Sequence, residues 1–307
     1  MASTPQADPL GLFLASIDAF RALPADTLVL PSHGRPFRGL HARVDQLHAH
    51  HAERCEVLLD ACRGTRKSAA DLIGVLTGVP VQTAVADFAD LAQVRAVAAE
   101  LLERFDRIDV LANNAGAIYP ARQVTTDGFE MTWQVDYLAP FLLTNLLKPA
   151  LVAASPSRVI SVSSDAHQGA WRGLKFDDLN GEQSWSSFGS YSAAKLADIM
   201  FAAELSRRWA PLGITSNSMH PGVVRSGFGR SGDWNERGLW SLTNLWALTP
   251  AQGADTLVYL ASSPEVDGVT GEYFYKRAPK RPNGPARDVE AQERLWRETA
   301  ETLGLEP

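Results

Sequence analysis

The chain has 307 residues, 45% of them apolar and 21% charged, and carries a formal net charge of −6. That composition suits a soluble globular protein with a sizeable core, and its acidic balance argues against nucleic acid or an anionic membrane as a general partner, since both favour a basic surface. No apolar run approaches the roughly 20 residues of a membrane span, and Met1 to Asp8 lacks a basic stretch leading into an apolar one, so a cytoplasmic location is expected.

In chain order, Thr27 to Leu30 reads as a short buried strand, Ser32 to Gly39 as a turn-rich loop, and His41 to Cys62 as one long helix. Cys55 and Cys62 lie about two turns apart on that helix, too far to bridge. They are expected to be ordinary thiols of a reducing compartment. His48 and His51 share a helix face while His50 points elsewhere, and no Asp or Cys completes a metal set, so this cluster reads as a solvated face. Ser68 to Leu76 forms a second helical pattern, with Ser68 as N-cap and Asp71 three residues on. Gly78-Val79-Pro80 breaks it and marks a seam between residues 1–78 and 79–307.

Beyond the seam, strands and helices alternate. Strands are expected at Val81 to Ala86, Ile108 to Asn113, 158–163, 213–219 and 272–275, with helices at Leu91 to Phe105, 125–149, 189–209 and 250–262. This order implies parallel βαβ units in one sheet covered on both faces, a doubly wound α/β fold. The two basic clusters, Arg63 to Lys67 and Lys276 to Arg281, read as solvated loop charge.

Tyr191 and Lys195 are four apart on a predicted helix and therefore share a face. A phenol with an ordinary pKa near 10 is a poor acid or base at neutral pH. A neighbouring ammonium favours the phenolate and brings the phenol nearer the pH at which it must move protons. Asn113-Asn114-Ala115-Gly116, Ser163-Ser164 and His220-Pro221-Gly222 each end a predicted strand. Three such loops meet at the carboxyl ends of parallel strands, where open α/β sheets bind ligands.

With Tyr191-Ser192-Ala193-Ala194-Lys195 in this order, residues 81–307 resemble the short-chain dehydrogenase/reductase family. Asp127-Gly128-Phe129-Glu130, Ala139-Pro140-Phe141-Leu142, Ser163 to His167, Phe176 to Leu179 and the long Ser164 to Tyr191 spacing are most similar to its retinol-dehydrogenase-like branch. The resemblance implies catalytic roles for four residues. Tyr191 is the proton donor or acceptor, Lys195 lowers its pKa and binds the nicotinamide ribose, Ser164 holds the substrate oxygen, and Asp136 stands where the family has an Asn that organises a water relay. It also implies a cofactor contact along Asn113, Ala115 and Gly116, an adenine contact at Asp87 and Phe88, and a nicotinamide contact at Pro221, Gly222, Val224 and Ser226, the last in place of the usual Thr. The cofactor is NAD or NADP, with no preference legible.

The family begins with a strand and a glycine-rich phosphate loop. The nearest candidate here, Gly74 to Pro80, has the wrong spacing and a proline where glycine is needed. The expected fold is therefore a truncated doubly wound parallel sheet, Rossmann-like, behind a small and mainly helical N-terminal segment. Residues 1–78, through Leu28 to Val44 and His50 to Arg54, resemble the C-terminal end of metallo-β-lactamase-fold hydrolases. His33 occupies a zinc-ligand position there, but no histidine precedes it to supply the remaining ligands, and no metal is expected. Two functional readings follow. The first is an NAD(P)-dependent oxidoreductase acting on a small, lipophilic alcohol or carbonyl substrate, aided by an apolar covering segment around Trp234, Trp240, Leu245 and Trp246, and able to assemble as a homodimer. The alternative is a catalytically inactive fusion that serves as a scaffold or binding protein.

Overall fold

A computed structural model of the chain describes residues 9–27, 38–61, 63, 81–224 and 248–306. The chain divides into two compact units, Met1–Thr83 and Ala84–Pro307. In the first, α1 (Pro9–Asp18) runs into a short 3-10 turn (Ala19–Ala22), and α2 (Leu40–Ala61) forms the long helix read from the sequence. Polar contacts join them: Arg21 pairs with Asp18 at 3.0 Å and Asp45 at 2.6 Å, and the His48 Nε2 lies 3.0 Å from Asp18. His48 is thus tied to Asp18 by a hydrogen bond within the helical unit. His33, Cys62, the expected helix from Ser68 and the Gly74 to Pro80 segment lie outside the described residues.

The second unit contains a five-stranded sheet in the order β1 (Val110–Asn113), β2 (Ser157–Val162), β3 (Ile214–Met219), β4 (Tyr273–Tyr275) and β5 (Ala278–Pro279). The first four strands are parallel and β5 returns antiparallel. Asn113 is level with Ser161 on β2, and Val162 with Met219 on β3, so the loops that follow these strands emerge side by side. Residues 81–86 are not a strand. Their alternation had suggested one, but Val85 is 90% exposed: period-two patterning makes a strand only where a neighbouring backbone and a buried face exist.

Helix α3 (Leu91–Arg104) starts where Asp90 accepts hydrogen bonds from the Ala92 and Gln93 amides, an N-cap that satisfies donors with no partner in the first turn. The helix expected over 125–149 begins later and is broken. Asp127-Gly128 makes a turn, with Gly128 at φ 88° and Val124 bridged to Glu130. Helical structure then starts at Met131–Trp133, widens into a π-helical turn over Gln134–Leu138, continues as α4 (Ala139–Leu146), and resumes as α5 (Lys148–Ala153).

The long α6 (Ser187–Trp209) is capped by Ser186 and buries much of its length, from Ser192 to Trp209. Its Phe201 meets Phe141, Tyr137 and Trp296, with ring centroids 5.1, 6.5 and 5.8 Å away. Trp296 comes from α8 (Val289–Thr302), a C-terminal helix capped by Asp288. Helix α7 (Pro250–Ser262) opens with a capping box, Thr249 with Gln252, and packs Leu260 into a second small core with Ile160, Met219 and Phe274.

Candidate active site

Helix α6 brings Tyr191 and Lys195 to the carboxyl ends of the parallel strands. Lys195 Nζ lies 5.6 Å from the centroid of the Tyr191 ring and 3.3 Å from the Val162 carbonyl at the end of β2. The same nitrogen is 3.1 Å from Asp136 Oδ2 and donates to Asp198 Oδ2 at 3.0 Å. Asp136 lies in the π-helical turn Gln134–Leu138 and is buried there; such helix irregularities recur at functional sites. Its other oxygen, Oδ1, accepts from the Ala117 amide at 2.7 Å, which fixes the loop after β1 to the turn. Oδ2 takes part in the buried ion pair with Lys195.

Ser164 follows β2 and caps a 3-10 turn (Asp165–Ala170), accepting from the Ala166 amide at 3.2 Å. Its side chain also shares a hydrogen bond with Tyr191. The turn is held from several sides. Asp165 receives Lys280 Nζ at 2.6 and 2.7 Å and the Tyr273 hydroxyl at 3.0 Å, while the buried His167 places Nδ1 2.7 Å from the Ser164 carbonyl. Ser163 donates to the Lys195 carbonyl at 2.6 Å, which ties the end of β2 directly to α6. Lys280 is therefore not simply solvated loop charge, since it pairs with Asp165, whereas Arg277 pairs with Asp255 and stays exposed.

Burial dominates the electrostatics here. It disfavours charge on Lys195, yet Asp136 and Asp198 overcome that cost and hold the ammonium well above its ordinary range. Burial raises both carboxyl groups against the pull of Lys195, and Asp198 is pushed up to about 7. For Tyr191 burial again comes first and raises the phenol. Lys195 and the Ser164 hydrogen bond pull it down, while Asp136 and Asp198 push it up, and the net direction is upward. The simple expectation that Lys195 leaves Tyr191 more acidic than an ordinary phenol fails, because burial of the phenol, with the opposing effect of Asp136 and Asp198, outweighs the pull of the ammonium.

The remaining predicted residues frame this cluster. Asn113 donates to Thr144 Oγ1 at 2.9 Å, and Ala115 and Gly116 lie exposed on the loop beyond β1. A Cβ on Gly116 would lie 3.1 Å from Asp136 Oδ2 and 3.2 Å from Lys195 Nζ, so a side chain there would require the pair to give way by a few tenths of an ångström. Asp87 closes the turn before α3 by accepting from the Ala89 amide at 2.9 Å, and Phe88 packs against the main core. Pro221, Gly222 and Val224 follow β3, where Gly222 adopts φ 84° and Val224 bridges to Leu248. Ser226 and the tryptophans at 234, 240 and 246 lie outside the described residues. Asp198 and the Asp165–Lys280 pair are the site features absent from the sequence reading. Asp198 carried a usable signal, since it stands three residues from Lys195 on the same helix. Among the described residues no group of three or more His, Cys, Asp or Glu is arranged to hold a metal, and no helix is long and apolar enough to cross a membrane.

The model of the enoyl-(acyl carrier protein) reductase family matches residues 47–276, beginning inside α2 and upstream of the seam expected near residue 78. Retinol dehydrogenase 13 of Homo sapiens is 38% identical over 264 residues, covering 83% of this chain and 79% of that protein. Polyprenol dehydrogenase of Mus musculus is 38% identical over 225 residues, covering 71% of this chain and 67% of that protein. Among solved structures, an uncharacterized protein from Mycobacterium paratuberculosis superposes with a TM-score of 0.58 at 27% identity, covering 78% of this chain and 82% of that one.

Proposed function

Because the chain belongs to the short-chain dehydrogenase/reductase family, we propose that it is an NAD(P)-dependent oxidoreductase that interconverts a lipophilic carbonyl compound and its alcohol. The observation that carries this reading is the meeting of Ser164, Tyr191, Lys195 and Asp136 at the carboxyl ends of β1, β2 and β3. The lipophilic substrate class is supported by the retinol and polyprenol dehydrogenases among its relatives.

The residues present suit the nicotinamide end of a dinucleotide. Gly116 leaves its exposed loop free of a side chain beside Asp136 and Lys195. In this reading Asn113, Ala115 and Gly116 line the cofactor, Lys195 holds its ribose, Pro221, Gly222, Val224 and Ser226 contact the nicotinamide, and Asp87 with Phe88 meets the adenine. The bound nicotinamide supplies or receives the hydride. The protein's own work is the proton. In reduction, the Ser164 and Tyr191 hydroxyls hold the carbonyl oxygen, the carbonyl carbon gains the hydride, and Tyr191 Oη gives its proton to that oxygen, leaving an alcohol and a phenolate. Oxidation runs the same steps backwards, with the phenolate taking the alcohol proton. Lys195 stabilises the phenolate in either direction.

The test is a fluorescence or calorimetric titration with NADH and NADPH, followed by steady-state reduction of retinal and decanal. Saturable binding and turnover are expected, and Tyr191→Phe should retain binding while losing about 100- to 10,000-fold in kcat, the usual range for a general acid. Absence of binding at millimolar cofactor would overturn this reading and favour the scaffold alternative.

A further inference from the structure

One buried ionisable group has no part in the chemistry just proposed. Asp198 sits three residues beyond Lys195 on α6, its carboxylate 3.0 Å from the ammonium and its side chain 7% exposed. Asp136 approaches the same nitrogen from the π-helical turn at 3.1 Å, with its side chain 0% exposed. One cation thus faces two carboxylates in a site closed to water. With both ionised the cluster carries one net negative charge beside the Tyr191 phenol. A lone ammonium favours a phenolate, and each carboxylate beside it opposes that pull.

We infer that Asp198 is a positioning residue that fixes and offsets the Lys195 charge, holding back formation of the Tyr191 phenolate in the alkaline range and suiting the site to carbonyl reduction rather than alcohol oxidation. The inference rests on the oxidoreductase reading and specifies its kinetic preference; the reaction equilibrium is untouched. The surroundings are consistent with it. Asp198 is pushed up to about 7, so it is ionised through the alkaline range in which a phenol titrates. The other titratable neighbours are few: Glu130 and Tyr119 face Asp136, Tyr137 faces Asp198, and Tyr273 faces Tyr191. Those three phenols are themselves raised, which leaves them neutral while Asp198 titrates.

The experiment uses the full chain and Asp198→Asn, which keeps an oxygen acceptor for Lys195 and removes only the charge. Phenolate absorbance is titrated from about pH 7 to pH 11, and the Tyr191→Phe background is subtracted to isolate one of the six tyrosines. The Tyr191 midpoint should fall by about one pH unit, the lower end of the effect of a nearby charge. The alkaline limb of decanol oxidation with NADP should fall with it. A midpoint that stays or rises overturns the inference, because a role in packing alone would change stability without moving it. Asp198→Ser gives the same test should the Asn variant fail to fold. The absorbance titration needs no turnover, so an inactive protein would refute the oxidoreductase reading while the fate of Asp198 is still decided.

Discussion

Replacing Lys195 with Met isolates the energetics of the buried charge cluster. Methionine preserves most of the side chain's length and volume but leaves Asp136 and Asp198 buried without the ammonium that lies 3.1 and 3.0 Å from them. Removing one partner of a buried ion pair costs about 3–5 kcal/mol, and two carboxylates are stranded here, so the upper part of that range is expected once both are ionised. The sign with pH follows from linkage. Both carboxyl groups already have folded-state pKa values above their ordinary one, and losing Lys195 raises them further. A group raised in this way contributes stability that is fully present below its unfolded value near 4 and lost as pH climbs through its folded value. In wild type the Asp198 share is lost as pH climbs through about 7, whereas in Lys195→Met it continues to be lost at higher pH. The stability gap should therefore be small near pH 5 and reach about 4–5 kcal/mol near pH 8.5. Urea unfolding followed by tryptophan fluorescence at both pH values measures it, aided by the buried Trp133, Trp209 and Trp296. A gap of equal size at both pH values, or one under about 1 kcal/mol at the higher, would refute the description of Lys195 as the counterion of two buried carboxylates.

Asp136→Asn removes the larger of the two carboxylate effects that hold Tyr191 up. The pH profile of kcat/KM for alcohol oxidation should move about one unit to the acid side, and an unshifted profile would count against Asp136 as a modulator of the phenol. Gly116→Val would push branched carbon against Asp136 Oδ2 and Lys195 Nζ, only 3.1 and 3.2 Å from a bare Cβ. It should weaken NADPH binding by about tenfold or more, the equivalent of about 1.4 kcal/mol, with an unchanged far-ultraviolet circular dichroism spectrum. Phe141→Ala empties a site that is 0% exposed and lies 4.9 Å from the Trp296 ring centroid and 5.1 Å from that of Phe201. Chemical denaturation should register a loss of about 3–5 kcal/mol.

The Ser164 turn shows how distant parts of the chain converge on this chemistry. Asp165 next to Ser164 is gripped by Lys280, 115 residues away, and by the Tyr273 hydroxyl. Asn283 binds the His167 carbonyl at 2.9 Å, and His167 in turn meets the Ser164 carbonyl. The C-terminal segment therefore braces the turn that carries the Ser164 hydroxyl.

Features that depend on short covalent spacing were legible along the chain. Tyr191 and Lys195 had to share a face because four residues make about one helical turn, and the parallel sheet was legible from the alternation of apolar runs with helical periods. The Asp127-Gly128 turn was also written locally and would have corrected the start of the 125–149 helix. Tertiary structure decided the rest. The run from Val81 to Ala86 has the pattern of a strand, yet pairing is a property of the neighbouring backbone and not of the run. Asp136 meets Lys195 from a widened helical turn that is remote in sequence, and Lys280 meets Asp165 across a sheet in which β4 pairs with β3 and β5 returns beside β4. The acidity of Tyr191 was beyond sequence for the same reason. A nearby lysine could be counted along the helix, but its strength depends on burial and on which carboxylates surround it, and those are fixed only when distant segments close around a common, water-excluded site.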